Sequence, residues 1–158
     1  MNPRKQALRD QLLAALEASL ATARAAHTAA VEGATHGEAR AESDKDTRGL
    51  EQSYLARGQA ERVEQLTTAI AAIEAMAWRE FAAQDAVDLG ALVTVEEDGD
   101  QQQFLLAPQG GGITLSGGVQ VVTPRAPLGG ALLKARAGDT VEVRRPGGVR
   151  ELSVLAVE

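Results

Sequence analysis

The sequence predicts an α+β protein in two parts: an N-terminal antiparallel α-helical coiled-coil hairpin, then a β domain with one short helix. Three observations carry this. Composition changes near residue 85: before it Pro3 is the sole proline and Gly33, Gly37, Gly49 and Gly58 are the only glycines, and after it come the other prolines, most glycines and many β-branched residues. The first part repeats apolar residues at alternating spacings of three and four, the period of a packed helix seam. The second part alternates short β-branched runs with turn signals. The boundaries read as a hairpin over 1–81, a connection over 82–89 and a β domain over 90–158.

In the first helix the seam is Leu13, Leu16, Leu20, Ala23, His27 and Ala30, and in the second it is Val63, Leu66, Ile70, Ile73 and Ala77. His27 falls on this pattern and is read as packed. The seam of the first helix turns from Leu to Ala toward its end, so the pair is expected to narrow there. Gly37 is expected to relax the end of the first helix, and the helices join around 38–48. Asp46 or Thr47 suits the N-cap of the second helix, because a short side-chain oxygen accepts a hydrogen bond from an unpartnered N–H of the first turn. Tyr54, the only tyrosine, is expected to pack across the hairpin.

In the second part, "LGALVTVEEDG" reads as a strand ending in an Asp98-Gly99 turn, "QQFLLAP" as a second strand, "GGITLS" as a short third and "GVQVVTP" as a fourth. "APLGGALLKARAGD" reads as a helix with Pro127 in its first turn and its end before Gly138-Asp139. The remainder is a hairpin turning at Pro146-Gly147-Gly148.

Composition excludes several functions. Hydrophobic residues are 44% but aromatics only 3%, so the core is aliphatic. The absence of cysteine removes disulfides, thiolate zinc sites and cysteine catalysis. A net charge of −6 argues against a broad duplex-binding face, although Arg144, Arg145 and Arg150 cluster near the C-terminus. The N-terminus lacks the apolar stretch of a signal peptide, and no run is long enough to span a membrane, so the expectation is a soluble cytoplasmic protein. No nucleophile–base spacing or phosphate-binding glycine loop supports an independent enzyme.

Between the helices lies "ARAESDKDTRGLEQ", residues 39–52, with Glu42, Asp44 and Asp46 close together. Like charges one helical turn apart repel, so folding does not favour the cluster, whereas a divalent cation does. A solvated acidic turn with Asp46 as a helix cap is the plain alternative.

The residues from Ala126 to Glu158, "APLGGALLKARAGDTVEVRRPGGVRELSVLAVE", resemble the C-terminal signature of the bacterial GreA/GreB transcription elongation factors. That signature runs Ser-Pro-Leu-Gly-x-Ala-Leu-Leu, then Gly-Asp-x-Val and a Pro-Gly-Gly hairpin. "LGALVTVEEDG" is similar to the strand that opens the same domain, and the order of hairpin, connection and β domain also corresponds. The resemblance implies an FKBP-like C-terminal domain docked at the rim of the RNA polymerase secondary channel, with the coiled coil reaching through it. It implies acidic tip residues that help hold a shared Mg²⁺ while the polymerase cleaves backtracked RNA. The factor would then be an accessory, not an enzyme, and would meet the nascent RNA 3′ end only indirectly. No membrane partner, no stably bound cofactor and a monomeric state are expected.

Carried over to this chain, Asp44 and Asp46 are the carboxylates offered to Mg²⁺, with Glu42 as a further ligand or local field. Lys45 and Arg48 are candidates for contact with RNA or polymerase. Pro127, Leu128, Gly129, Leu132 and Leu133 are candidates for polymerase docking, with Leu132 and Leu133 at least partly in the core. The tip departs from the family's Asp-Leu-Ser-Glu-Asn-Ala-Glu-Tyr. Aligned through Gln59, Lys45 and Arg48 stand opposite its two acids; shifted by one residue, Asp44 and Thr47 do. The altered spacing leaves a second expectation open: a Gre-like regulator that occupies the channel and inhibits without stimulating cleavage.

Overall fold

A computed structural model describes residues 1–40 and 47–158, with the side chains of 35–48 outside the described set. It divides into two compact units. One is Met1–Leu13 with Ala71–Glu158, and the other is Ala14–Ile70.

The elements are α1 (Pro3–Arg40), α2 (Thr47–Ala75), β1 (Leu92–Glu97), β2 (Asp100–Leu106), β3 (Gln120–Val122), α3 (Pro127–Leu132), β4 (Thr140–Arg145) and β5 (Gly148–Val157). The expected class, a helical hairpin followed by a β domain with a short helix, is the class observed.

In the arm unit, Leu16, Leu20, Ala23, Ala30 and Ala34 of α1 are buried, as are Leu66 and Ala69 of α2. His27 and Val63 are half-buried at their seam positions. The two helices touch closely where α1 has small residues: a methyl group on Gly33 would stand 3.0 Å from Gln52 Oε1. Three expectations need correction. Helix α1 runs through Gly37 to Arg40. Tyr54 does not pack across the hairpin but is 61% exposed, because it lies on the outer side of α2, away from the seam residues Gln52, Ser53 and Ala56. Ala77 lies beyond the end of α2, where Trp78 Nε1 donates to the Ile73 carbonyl at 3.1 Å. The indole thereby takes one of the carbonyls that a helix C-terminus leaves without an intrahelical donor.

In the other unit the sheet order is β3-β2-β1-β5-β4. All pairs are antiparallel except β2 with β3. Asp98 and Gly99 both take positive φ (53° and 85°), the geometry of a two-residue turn that matches the twist of the strands it joins. Thus Glu97 faces Asp100 and the alternation of β1 falls into register with β2. Val93, Val95, Phe104, Leu106, Leu132 and Leu152 belong to one core under this sheet.

Two elements differ from the sequence reading. The expected third strand at 111–116 is absent: Thr114 makes an isolated bridge to Gln120, and the Ile113 carbonyl accepts from Val121 N at 2.8 Å. The chain turns back at 116–118 too soon for a longer ladder to form. The helix expected to reach Gly138 stops at Leu132. Lys134 takes φ 70° and gives its N–H to Val87 O at 2.8 Å, while Ala135 O accepts from Val87 N at 2.7 Å. A tertiary strand-like contact has displaced the last helical turns.

The first three turns of α1 belong to this β unit. Gln11 bonds Ser116 twice, with its Nε2 donating to the hydroxyl at 2.9 Å and its Oε1 accepting from the backbone N at 2.8 Å. Arg4 bonds Gln103. Lys5 is fully buried; its Nζ donates to Arg79 O at 2.8 Å and to Glu158 O at 3.2 Å, and lies 4.7 Å from the centre of the Phe81 ring. No described helix is long and apolar enough to cross a membrane.

Candidate protein-docking surface

The segment that follows β3 has the sharpest local constraint among the described residues. Ala126, in extended conformation, precedes α3, and Pro127 opens the helix where a missing N–H costs nothing. The Thr123 carbonyl accepts from Ala126 N at 3.1 Å, folding the chain back over the helix start. That fold places Thr123 O 1.9 Å from where a Cβ of residue 129 would stand, so only glycine fits. The next bonds, Gly130 N to Ala126 O at 2.8 Å and Leu133 N to Gly129 O at 3.0 Å, complete the short helix.

This geometry sorts the five docking candidates. Leu132 is fully buried in the core and Gly129 is buried under Thr123. Leu128 and Leu133 are half-buried and pack against the core from its margin. Pro127 is exposed. The surface on offer is therefore Pro127 with the outer parts of Leu128 and Leu133, held in place by Gly129 and Leu132 from beneath.

Residues 82–89 brace α3 from the other side. Asp85 N donates to Ala82 O at 2.9 Å, and Asp85 Oδ2 accepts from Ala82 N at 3.0 Å and from Arg79 Nη1 at 3.1 Å. The Ala82 N–H, and then Arg79, hold the Asp85 carboxyl below its ordinary range. Arg79 also lies over Phe81, its guanidinium carbon 3.8 Å from the ring centre. Val87, fully buried, carries the two bonds to residues 134 and 135. Lys134 Nζ reaches Asp88 at 3.6 Å, and Arg136 bonds the Gln84 carbonyl. Sequence reading missed this brace, because nothing in "AAQDAVDLG" announces a partner nearly fifty positions on.

Glu42, Asp44, Lys45 and Asp46 lie outside the described residues. Arg48 is the second residue of α2, with its side chain outside the described set. Among the described residues no group of three or more acidic or histidine side chains is arranged to hold a metal ion.

Comparison with known proteins agrees with the C-terminal reading. Residues 82–158 match the family described as "Transcription elongation factor, GreA/GreB, C-term". The transcription elongation factor GreA of Rhodococcus erythropolis is 38% identical over 73 residues, covering 44% of this chain and 44% of that protein. GreA of Streptococcus pneumoniae is 31% identical over 78 residues, covering 48% and 47%. The chain thus spans about half the length of the curated relatives it matches. Among solved structures, the GreA factor homolog 1 (Gfh1) protein of Thermus thermophilus aligns at 18% identity over 92% of this chain and 94% of that one, with TM-score 0.41. A prokaryotic GreA/GreB factor from Nitrosomonas europaea aligns at 20% identity over 64% and 88%, with TM-score 0.38. The sequence match coincides with the α3 turn and its brace, and residues 82–158 carry the C-terminal domain of the GreA/GreB transcription elongation factors.

Proposed function

We propose that the chain is an accessory factor of bacterial RNA polymerase that docks through the α3 surface and presents its acidic tip in the secondary channel. There it stimulates cleavage of backtracked RNA by the polymerase itself. The observation that carries this reading is the family match over residues 82–158, which includes the Pro127–Leu133 segment. The tip adds chemistry of the right kind. Glu42, Asp44 and Asp46 are hard oxygen donors, the ligand class Mg²⁺ prefers, and one or two carboxylates suffice when other oxygens complete the shell. Asp44 and Asp46, with Glu42, would help hold such an ion, which would supply activation of water and charge stabilisation for phosphodiester cleavage. The part of this chain is to bring short carboxylates to that position, with Lys45 and Arg48 beside them to meet phosphate or polymerase carboxylates.

Two substitutions separate docking from chemistry. The double variant Asp44→Ala, Asp46→Ala is expected to bind polymerase as the wild type does and to lose stimulated cleavage; normal stimulation by it would overturn the assigned tip chemistry. Pro127→Asp is expected to raise the dissociation constant for polymerase about tenfold, by placing a desolvated charge at the contact. Its melting temperature should stay unchanged, since Pro127 is exposed. Unaltered affinity would remove α3 from the docking surface.

The tip sequence also supports a second reading. One alignment places Lys45 and Arg48 opposite the family's acidic positions, which suits a regulator that fills the channel and slows nucleotide addition. Slowed extension without stimulated cleavage would select it.

A further inference from the structure

Among the described residues the sheet ends in an edge strand, β4, with no strand beyond it. β4 and β5 are joined by a two-residue turn between Arg145 and Gly148. The residues flanking such a turn form the closing hydrogen-bonded pair, and bonded pairs then alternate along the ladder. Arg145, Val143 and Val141 therefore direct their N–H and C=O groups at β5. The same alternation appears at the far end, where Val154 N donates to Asp139 O at 2.8 Å. Thr140, Glu142 and Arg144 direct theirs outward, and among the described residues no other backbone group takes them. Their side chains are exposed, so the outer rim of β4 is open.

The charges on this rim are unbalanced. Glu142 stands directly opposite Glu151 on the neighbouring strand, an unfavourable like-charge pair. Arg150, the nearest basic residue on β5, is taken by Glu97 at 2.7 Å. Among the described residues neither Glu142 nor Arg144 has an ion-pair partner.

We infer that the β4 edge is a pairing surface for a second copy of this chain. Place two β4 strands antiparallel about a two-fold axis through Val143. Glu142 of each copy then faces Arg144 of the other, and both residues have outward-directed backbone groups, so each facing pair exchanges two hydrogen bonds. Val143 faces Val143 at the axis. The incoming arginine lies directly across from Glu142, on the side away from Glu151, and so offsets the charge that Glu142 and Glu151 crowd together. A register centred on Glu142 would instead oppose two glutamates, so charge selects the first. The interface is self-complementary, as a two-fold contact must be, and joins two five-stranded sheets into one. It does not depend on the polymerase reading.

Sedimentation equilibrium of the full chain over a wide concentration series tests this. The wild type is expected to pass from monomer to dimer. Arg144→Glu and Glu142→Arg should each raise the dimer dissociation constant about tenfold or more, since each turns two attractive pairs into repulsive ones. An equimolar mixture of the two variants should dimerise again, because every Arg then meets a Glu. Glu142→Pro, which removes an outward N–H and no bond to β5, should abolish dimerisation while the circular dichroism spectrum is retained. A wild type that stays monomeric throughout overturns the proposal. So does a dimer that survives Glu142→Pro, or single variants that mixing fails to rescue.

Discussion

Gly129→Ala is expected to cost the β domain about 3 kcal/mol and to lower its melting midpoint by on the order of 10 °C. The added methyl would stand 1.9 Å from Thr123 O and 2.6 Å from Thr123 C. Both atoms are backbone, so no side-chain rotation clears the space. Relief requires moving either the 123–126 turn, with its 3.1 Å bond from Ala126 N, or α3, which carries Leu132 into the core. Gly130→Ala is the control: its methyl meets only Pro124 O, at 3.1 Å, and alanine favours the helix, so its effect should stay within about 1 kcal/mol. Thermal unfolding followed by circular dichroism distinguishes the two. Equal midpoints for both variants would contradict the close approach. Polymerase affinity should fall with Gly129→Ala as well, through displacement of Pro127.

Lys5→Ala is expected to cost about 3 kcal/mol, and Lys5→Met about 2 kcal/mol. Lys5 is fully buried, and its ammonium serves two carbonyls, Arg79 O and Glu158 O. Alanine removes both donors and the packed stem. Methionine keeps the stem and leaves the carbonyls unserved, so the difference between the variants measures packing. Desolvation first, and then the charge of Arg79, lower the Lys5 pKa below the ordinary 10.5, while Glu80 and Glu158 oppose the shift. The unfolded chain therefore binds the proton more tightly than the folded one. Between the folded value and 10.5 the unfolded state holds more protons, so the contribution of Lys5 to stability rises with pH. A neutral amine still donates two hydrogen bonds. Urea unfolding at neutral and alkaline pH should show the advantage of wild type over Lys5→Met widening toward pH 10.5. A constant or shrinking advantage would contradict a desolvated ammonium.

Local signals made much of the fold legible. Asp98-Gly99 and Pro146-Gly147-Gly148 set two hairpins in their observed registers, because each turn fixes which residues face one another. The three-and-four spacing identified most of the arm seam. Where the sequence misled, contacts outside the regular helix pattern had decided the conformation: Val87, distant in sequence, ended α3 early, and the nearby Trp78 indole took a carbonyl at the end of α2. Lys5 left a signal that went unread. It stands in the stripe of Leu8, Leu12 and Leu16, at helical spacing, and a charge on an apolar stripe is either an error of register or a buried donor with acceptors waiting. For docking, the motif marked a candidate segment but did not separate exposed Pro127 from buried Gly129 and Leu132. That distinction depends on the fold-back of Thr123, which spacing does not encode. The acidic tip was legible as chemistry only, through its three carboxylates.

The proposed role of this chain is to assist the RNA-cleaving activity of RNA polymerase. The most direct test is transcript cleavage in a purified backtracked elongation complex, with and without the protein, across a series of Mg²⁺ concentrations. Cleavage is expected to accelerate with added protein, to saturate, and to reach its half-maximum at lower Mg²⁺ when the protein is present. Cleavage at the unassisted rate at every Mg²⁺ concentration, with protein bound to the complex, would contradict it.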